Sequence, residues 1–210
     1  DIFSDITKYL DNSDITIGTY ETDVTEDTKV FANAVKEAGV DLVTLAHNHA
    51  LDNGEEGLET TQNYLESIGI ETVGKYSEEV QDRIKIIEEK GVKIAILSYT
   101  YDNGETGVNI YSEELASEDL AYANENADFT IVLMHWGDVY KEKPNSTQKA
   151  QAQFLVNNGA DIIIGAHPSV VEPMEILQNG EGKDCLVAYS LGDFTSDFSY
   201  ENSNLSLIHI

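Results

Sequence analysis

The stretch "GVDLVTLAHNH", Gly39 to His49, opens on a glycine, places one Asp, runs nearly continuously apolar and then ends on His, Asn and His. Further on, "GADIIIGAHPS", Gly159 to Ser169, does the same. An apolar run of this length, bounded by glycine, is what a strand buried on both faces needs, because a parallel sheet covered by helices leaves no face for water. Helix, glycine, Asp, strand and histidine occurring twice in that order read as repeated βα geometry and set the class as α/β.

The flanking pattern extends this reading. "ITIGTY" (15–20) reads as a strand, and "DTKVFANAVKEAG" as a helix with Phe31, Ala34, Val35 and Ala38 on one face and Gly39 as its stop. "EEGLETTQNYLESIG" places Leu58, Thr61, Leu65 and Ile68 on one helical face, and "IETVG" follows as a short strand. "DRIKIIEEKGVKIAILSYTY" predicts two strands around a Lys90-Gly91 turn, followed by a helix within 112–127. "FTIVLM" is a strand ending at His135, and "NSTQKAQAQFLVNNG" a helix capped by Asn145 or Ser146. The last third, "VVEPMEIL", "CLVAYSL" and "LSLIHI", is β-rich, with "QNGEGKD" as a hairpin loop. The expectation is a single layered domain over 1–210, with a mixed β-sheet core flanked by helices.

Composition narrows the partners. With 39 acidic against 12 basic residues the net charge is −27, which opposes binding to nucleic acid or to an anionic leaflet. A chain that is 41% apolar with 11 Tyr is not disordered in character, so the charge reads as a solvated surface. Cys185 is the one cysteine, which excludes an intrachain disulfide and a Cys-based zinc cluster and reads as a small core residue. No membrane span or signal segment is visible in the sequence, so no membrane contact is expected from this segment itself.

Three strands end in histidine-containing loops, "AHNHALDNG", "MHWGD" and "AHPS", which hold His47, His49, His135 and His167; the fifth histidine, His209, reads as structural. Ligands of open α/β sheets bind at the carboxyl ends of strands, so these loops are expected to converge on one edge. Neutral imidazole is a common metal ligand, and Asn48 with Glu21, at the end of "ITIGTYE", supplies oxygen for a divalent ion. His49 is then placed as general acid. Glu172 and Asp193 are candidates to fix His tautomers, or else loop carboxylates; Trp136 either walls the pocket or packs in the core. Asp52, Asn53 and Gly54 form a turn signal, with Glu55 and Glu56 suited to a helix start. Tyr99 and Tyr101 can touch a ligand, and a triad through Ser98 or Ser190 stays open, although no nucleophile elbow or phosphate-binding loop is present.

At these residues the chain resembles the CapA/PgsA family, bacterial cell-surface proteins tied to poly-γ-glutamate capsule synthesis, with a fold similar to calcineurin-like metallophosphoesterases. The resemblance rests on "DITIGTYET", "AGVDLVTLAHNHALDNGEEGLETT", "IVLMHWGD", "GADIIIGAHPSVVEPMEI" and "LVAYSLGDF", in the family's order. It implies that Glu21, Asn48, His135 and His167 bind one divalent ion (Mn, Zn or Fe) and that His49 orients or protonates substrate, with His47, Trp136, Ser169, Glu172 and Asp193 around them. Departures accompany it: Thr19-Tyr20-Glu21 where the family reads Asn-Leu-Glu, Ser169 where a second His is usual, and Asp193 where Asn is usual. The family's N-terminal strand with its acidic ligand is not in this chain, so a first metal's shell is stripped while a second's is kept. The resemblance implies an extracellular, surface-held protein with any anchor upstream, partnered by the capsule polymer or its synthesis machinery. Two functions follow: metal-dependent hydrolysis or transfer on an anionic or amide-linked polymer, or a non-catalytic scaffold for its assembly or export.

Overall fold

A computed structural model of the chain describes residues 3, 7–10, 12–101, 104 and 106–195. The first half runs α1 (Thr7–Leu10), β1 (Ile17–Thr19), α2 (Lys29–Glu37), β2 (Leu42–Thr44), α3 (Gly54–Ser67) and β3 (Glu71–Val73). Strands β1, β2 and β3 pair in that order as a parallel three-stranded sheet. The second half runs α4 (Val80–Arg83), β4 (Lys85–Glu89), β5 (Val92–Thr100), α5 (Glu113–Asn126), β6 (Phe129–His135), α6 (Ser146–Asn157), β7 (Ile162–Ala166), β8 (Met174–Gln178) and β9 (Asp184–Ala188). These strands form a six-stranded mixed sheet in the order β4-β5-β6-β7-β9-β8, with antiparallel β4 and β8 on its edges.

The mixed sheet and flanking helices are therefore as the sequence reads, with one change: the histidine loops do not leave a single sheet. β2 belongs to the small sheet and β6 and β7 to the large one. Apolar periodicity marks a strand as buried but does not say which strand it pairs with, so the partition was invisible in the pattern. The "LSLIHI" strand and His209 lie outside the described residues.

The sheets pack face to face. Leu42 and Val73 of the small sheet meet Ile96 and Leu133 of the large one, and the buried hydroxyls of Thr44 and Ser98 hydrogen-bond across the gap. On the outside, α2 and α3 bury Val35, Leu58 and Leu65 against Val43 and Leu45. On the opposite side α5 and α6 bury Leu120, Leu155 and Val156 against Tyr99, Val132 and Ile163. The layers are thus helix, sheet, sheet, helix, with three strips of apolar side chain between them withdrawn from water.

The repeated Asp has a definite task. Asp41, just before β2, donates its N–H to Thr16 O (3.0 Å) and accepts the Thr16 N–H on Oδ2 (2.8 Å). Asp161, just before β7, does the same to Thr130 at 2.9 and 2.8 Å, and Asp128, just before β6, to Lys93 at 2.8 and 2.9 Å. Each residue clasps both backbone groups of one residue on the neighbouring strand and so fixes the parallel register at its start. Gly39 (φ 98°) and Gly159 (φ 106°) supply the left-handed turn that brings each helix into its Asp. The β4–β5 hairpin turns on Lys90 and Gly91, both at positive φ (52° and 82°), as a two-residue turn matching strand twist requires.

Asp161 and Thr130 are both buried, whereas Asp128 is exposed. Asp161→Ala leaves a buried N–H unsatisfied and is expected to cost about 1–3 kcal/mol, measured by urea denaturation, while Asp128→Ala costs no more than about 1 kcal/mol because water replaces the carboxylate. Equal losses at both positions would show that the clasp is not what fixes the register.

Candidate functional site

The carboxyl ends of β1, β2, β6 and β7 meet at one end of the two-sheet sandwich. His135 is the last residue of β6 and is 2% exposed. Its Nε2 lies 2.8 Å from Asn48 Oδ1, in the loop after β2. An amide oxygen only accepts, so Nε2 carries the proton and Nδ1 is left as a bare lone pair. That Nδ1 is buried without a hydrogen-bond partner, and Glu21 Oε1, from the loop after β1, stands 3.8 Å away, too far for a hydrogen bond. The His167 ring lies 4.8 Å from the His135 ring, and Tyr101 packs beside both, at 5.1 Å from His167 and 6.4 Å from His135. Asn48, His135, His167 and Glu21 are thereby brought together, from two sheets rather than one.

His167 sits at φ 96° and Ser169 at φ 62°, a left-handed backbone that side chains other than glycine adopt at a cost of order 1–3 kcal/mol each. Both lie in the loop after β7. Such strain is retained where the surroundings over-determine it, and here it aims His167 back at His135.

Electrostatics at this end run against charge. Burial, with the nearby His167 and His47, holds His135 well below the usual imidazole range, so it is neutral. Burial likewise lowers His167. Glu21 keeps 40% of its side chain accessible, yet its carboxyl is enclosed enough that burial, with the Asp193 charge, raises its pKa to about 7.

The remaining expected residues sort by what they touch. His47 is buried, accepts the His49 N–H on Nδ1 (3.2 Å) and lies 6.1 Å from the His135 ring. His49 is exposed at the rim, with Nδ1 3.0 Å from Asp52 Oδ2; Asp52 thus holds an imidazole, while α3 starts at Gly54 with Glu55 and Glu56 in its first turn. Trp136 has its indole in the core, donating to Tyr189 O (2.8 Å), and only an edge of it lines a cleft beside His167. Gly165 makes this possible, since a Cβ there would fall 1.8 Å from Tyr189 O. Ser169 turns its hydroxyl to the His167 carbonyl at 3.5 Å.

Two expectations are corrected. Glu172 does not fix a histidine: it is 1% exposed, its Oε2 accepts from Gln148 Nε2 (2.7 Å), and its other oxygen is buried without a partner. The α6 helix, capped by Asn145 and Gln148 in a reciprocal box, delivers Gln148 to it. Tyr99 does not face a ligand either, because its hydroxyl donates to Asp119 Oδ2 (2.8 Å) in a buried cluster with Arg83. The serines are engaged elsewhere, Ser98 with Thr44 and Ser190 with the Gly192 N–H, so no triad forms. Tyr101 belongs at the site more firmly than its position suggested, and Asp138 in the cleft was missed; the signal for both was adjacency to a strand end.

The nitrogen and oxygen donors suit a borderline divalent ion, and the unpartnered lone pair on His135 is what such an ion would satisfy. Among the described residues, no group of three or more His, Cys, Asp and Glu side chains is gathered as a closed metal shell. The donors fit in type and lie at one end of the sandwich, but among the described residues they do not converge as a ligand set.

The family model for the bacterial capsule synthesis protein PGA_cap matches residues 1–198. The capsule biosynthesis protein CapA of Bacillus anthracis is 31% identical over 227 residues, which covers 93% of this chain and 54% of the relative. The PGA biosynthesis protein CapA of Bacillus subtilis is 32% identical over 179 residues, covering 80% and 46%. The chain spans about half the length of these relatives. Among solved structures, a phosphatase from Mycoplasma pneumoniae superposes with a TM-score of 0.62 over 91% of this chain and 66% of its own at 14% identity, a likeness of fold. The layered architecture is thus one that this solved phosphatase shares.

Burial, and the charge His49 would carry, depress His47 from an ordinary 6.5 to about 4. Below pH 6.5 the unfolded chain therefore takes up a proton that the native state refuses until about pH 4, and stability falls across that window by about 3 kcal/mol. Glu21 shifts oppositely: native stability gained from its raised pKa is present at low pH and lost as pH rises through about 7. The two offset, so the readout is a difference: between pH 7 and 4, wild type should lose about 3 kcal/mol more than His47→Gln in urea denaturation. Parallel losses would show that His47 protonates freely in the folded state.

Proposed function

Because this chain belongs to the PGA_cap family of bacterial capsule synthesis proteins, we propose that residues 1–210 act as one domain at the cell surface in capsule polymer assembly, with one divalent ion held by Glu21, His135 and His167 and with Asn48 orienting the His135 ring rather than ligating the ion. The observation that carries the reading is the buried, unpartnered Nδ1 of His135, with Glu21 Oε1 at 3.8 Å. Buried polar atoms are mostly paired, and this bare lone pair differs from the other buried unpartnered atoms in facing a carboxylate and a second imidazole, which is what an ion would bridge.

When bound, an Mn, Zn or Fe ion supplies Lewis acidity toward a phosphoryl or acyl oxygen. Asn48 fixes the His135 tautomer by accepting from Nε2, which keeps the Nδ1 lone pair available. Glu21, whose pKa burial raises to about 7, would offer the ion an anionic oxygen when deprotonated. His49, exposed and held by Asp52 through Nδ1, presents Nε2 outward as the group that gives or takes a proton at the leaving group. Ser169, turned to its own loop, leaves no imidazole for a second ion, so the reading is of one ion rather than a two-metal clamp.

A second reading is favoured by one observation, the absence among the described residues of a closed cluster of three metal-ligating side chains. In that reading the domain is a non-catalytic scaffold for polymer assembly or export. Metal content separates the two. Protein purified without chelator and dialysed against Mn²⁺ should carry close to one ion per chain, and His135→Ala should weaken binding by at least about 100-fold in calorimetry. No binding by either protein, with Mn²⁺ or Zn²⁺, would sink the metal reading and leave the scaffold.

A further inference from the structure

The charge of this chain is not spread evenly around the site. Residues 20–66, which carry Glu21, Asn48, His49 and the helices α2 and α3, hold eleven acidic residues and two lysines. Residues 139–160, which form most of the loop after β6 together with α6, hold three lysines and a single acid, Glu142. On a chain whose total is −27, one wall of the site end is strongly acidic and the other is net positive.

The three lysines of that second wall are also unpaired. Lys29, Lys85, Lys90, Lys183 and Arg83 each form an ion pair. Lys141, Lys143 and Lys149 are exposed and form none among the described residues. Their segment is tied to the site: the Tyr140 N–H donates to Pro168 O at 2.8 Å, next to His167, and the Lys141 N–H turns back to Asp138 O at 3.2 Å. Asn145, Thr147 and Gln151 of the same segment line the cleft that reaches His167. Asp138 opposes the lysines there, but its Oδ2 is already held by Asn145 Nδ2 at 2.9 Å, and the start of α6 adds about half a positive charge to the same wall.

Whole-chain charge and local charge act over different distances. Repulsion from the acidic wall is screened over about 8 Å at physiological ionic strength, whereas a carboxylate in contact with an exposed ammonium lies well inside that length. One such exposed pair is weak, so a small single anion is not retained. A chain of repeated carboxylates is, because once one is held the next contacts are intramolecular. Lysine is a flexible, hydrated point charge suited to single carboxylates at irregular spacing. Arginine, whose planar fork favours phosphate, is not on this wall; the chain's one arginine, Arg83, is buried against Asp119.

We propose that the exposed rim carrying Lys141, Lys143 and Lys149 is the surface along which an extended carboxylate-bearing polymer lies as it passes His167. The surface rests on the reading of the adjoining strand-end residues as the working site. It deepens that reading by giving the polymer a side of approach: it follows the α6 wall and stays clear of α2 and α3.

The test is an NMR titration of metal-free protein at pH 7 with a γ-glutamyl oligomer of about ten residues, its uncharged α-amide analogue, and a polyphosphate of equal charge. The oligomer should shift the backbone amides of Lys141, Lys143 and Lys149 saturably and leave those of α3 unmoved, and the amide analogue should move neither. Raising salt from about 50 to about 300 mM should weaken the oligomer at least about fivefold. Lys141→Gln with Lys143→Gln should also weaken it at least about fivefold. Lys90→Gln with Lys93→Gln, which removes the same charge at the amino end of β5, should change it less than about twofold. Equal losses from the two pairs would show that net charge alone governs binding and would overturn the surface. So would an oligomer that moves none of these signals or moves those of α3 instead, and polyphosphate binding more tightly than the oligomer would give the wall to phosphate chains. Because no metal is present in the titration, failure here leaves the ion-binding reading standing, and failure of ion binding leaves this result intact.

Discussion

The two-point grip of an Asp on the residue beside it in the next strand is the constraint on which the rest of the molecule depends. A parallel pair has evenly spaced, slanted hydrogen bonds and no tight turn to set its register. Asp41, Asp128 and Asp161 replace that missing turn, each binding an N–H and a C=O of one neighbouring residue. Strands that start in register and run for a few residues also finish in register. Register is thus set within each sheet, and the packing of the two sheets, with the Thr44–Ser98 hydrogen bond between them, brings the loops carrying Glu21, Asn48, His135 and His167 to the same end.

What gathers there is governed by exclusion of charge. The site end holds imidazoles kept neutral by burial and a carboxyl whose pKa is raised to about 7, so near neutral pH the protein stores unfilled lone pairs rather than fixed charge. On a chain with a net charge of −27 this is a local departure from the surface around it. A cation drawn in by the wider field would meet the one nitrogen there that has no partner, His135 Nδ1, beside the Glu21 carboxyl.

Much of this was legible in the sequence, for reasons that can be named. The helix faces of Val35, Leu58 and Leu65 follow from spacing, the Lys90-Gly91 turn from the residues that tolerate positive φ, and the Asn145 cap from its side chain. The nearness of Asn48, His135 and His167 followed from each lying at or just after the end of a strand. Pairing between strands was not legible, because burial alone does not name a partner, and so the split into two sheets went unseen. Glu172 and Tyr99 were misplaced for a related reason: their partners, Gln148 and Asp119, come from helices distant in the chain. Asp52 read as part of a helix start because its sequence context fits one, yet in space it faces His49.

The two-sheet construction has a mechanical consequence. Asn48 rides on the small sheet and His135 on the large one, and the hydroxyls of Thr44 and Ser98 are the polar pin between them. A slip of one sheet past the other by a single residue, about 3.3 Å along the strand, would open the 2.8 Å contact to about 4 Å and dissolve it. The site is in effect a caliper across the sandwich, and a load that shears the layers would release it before any strand unzips.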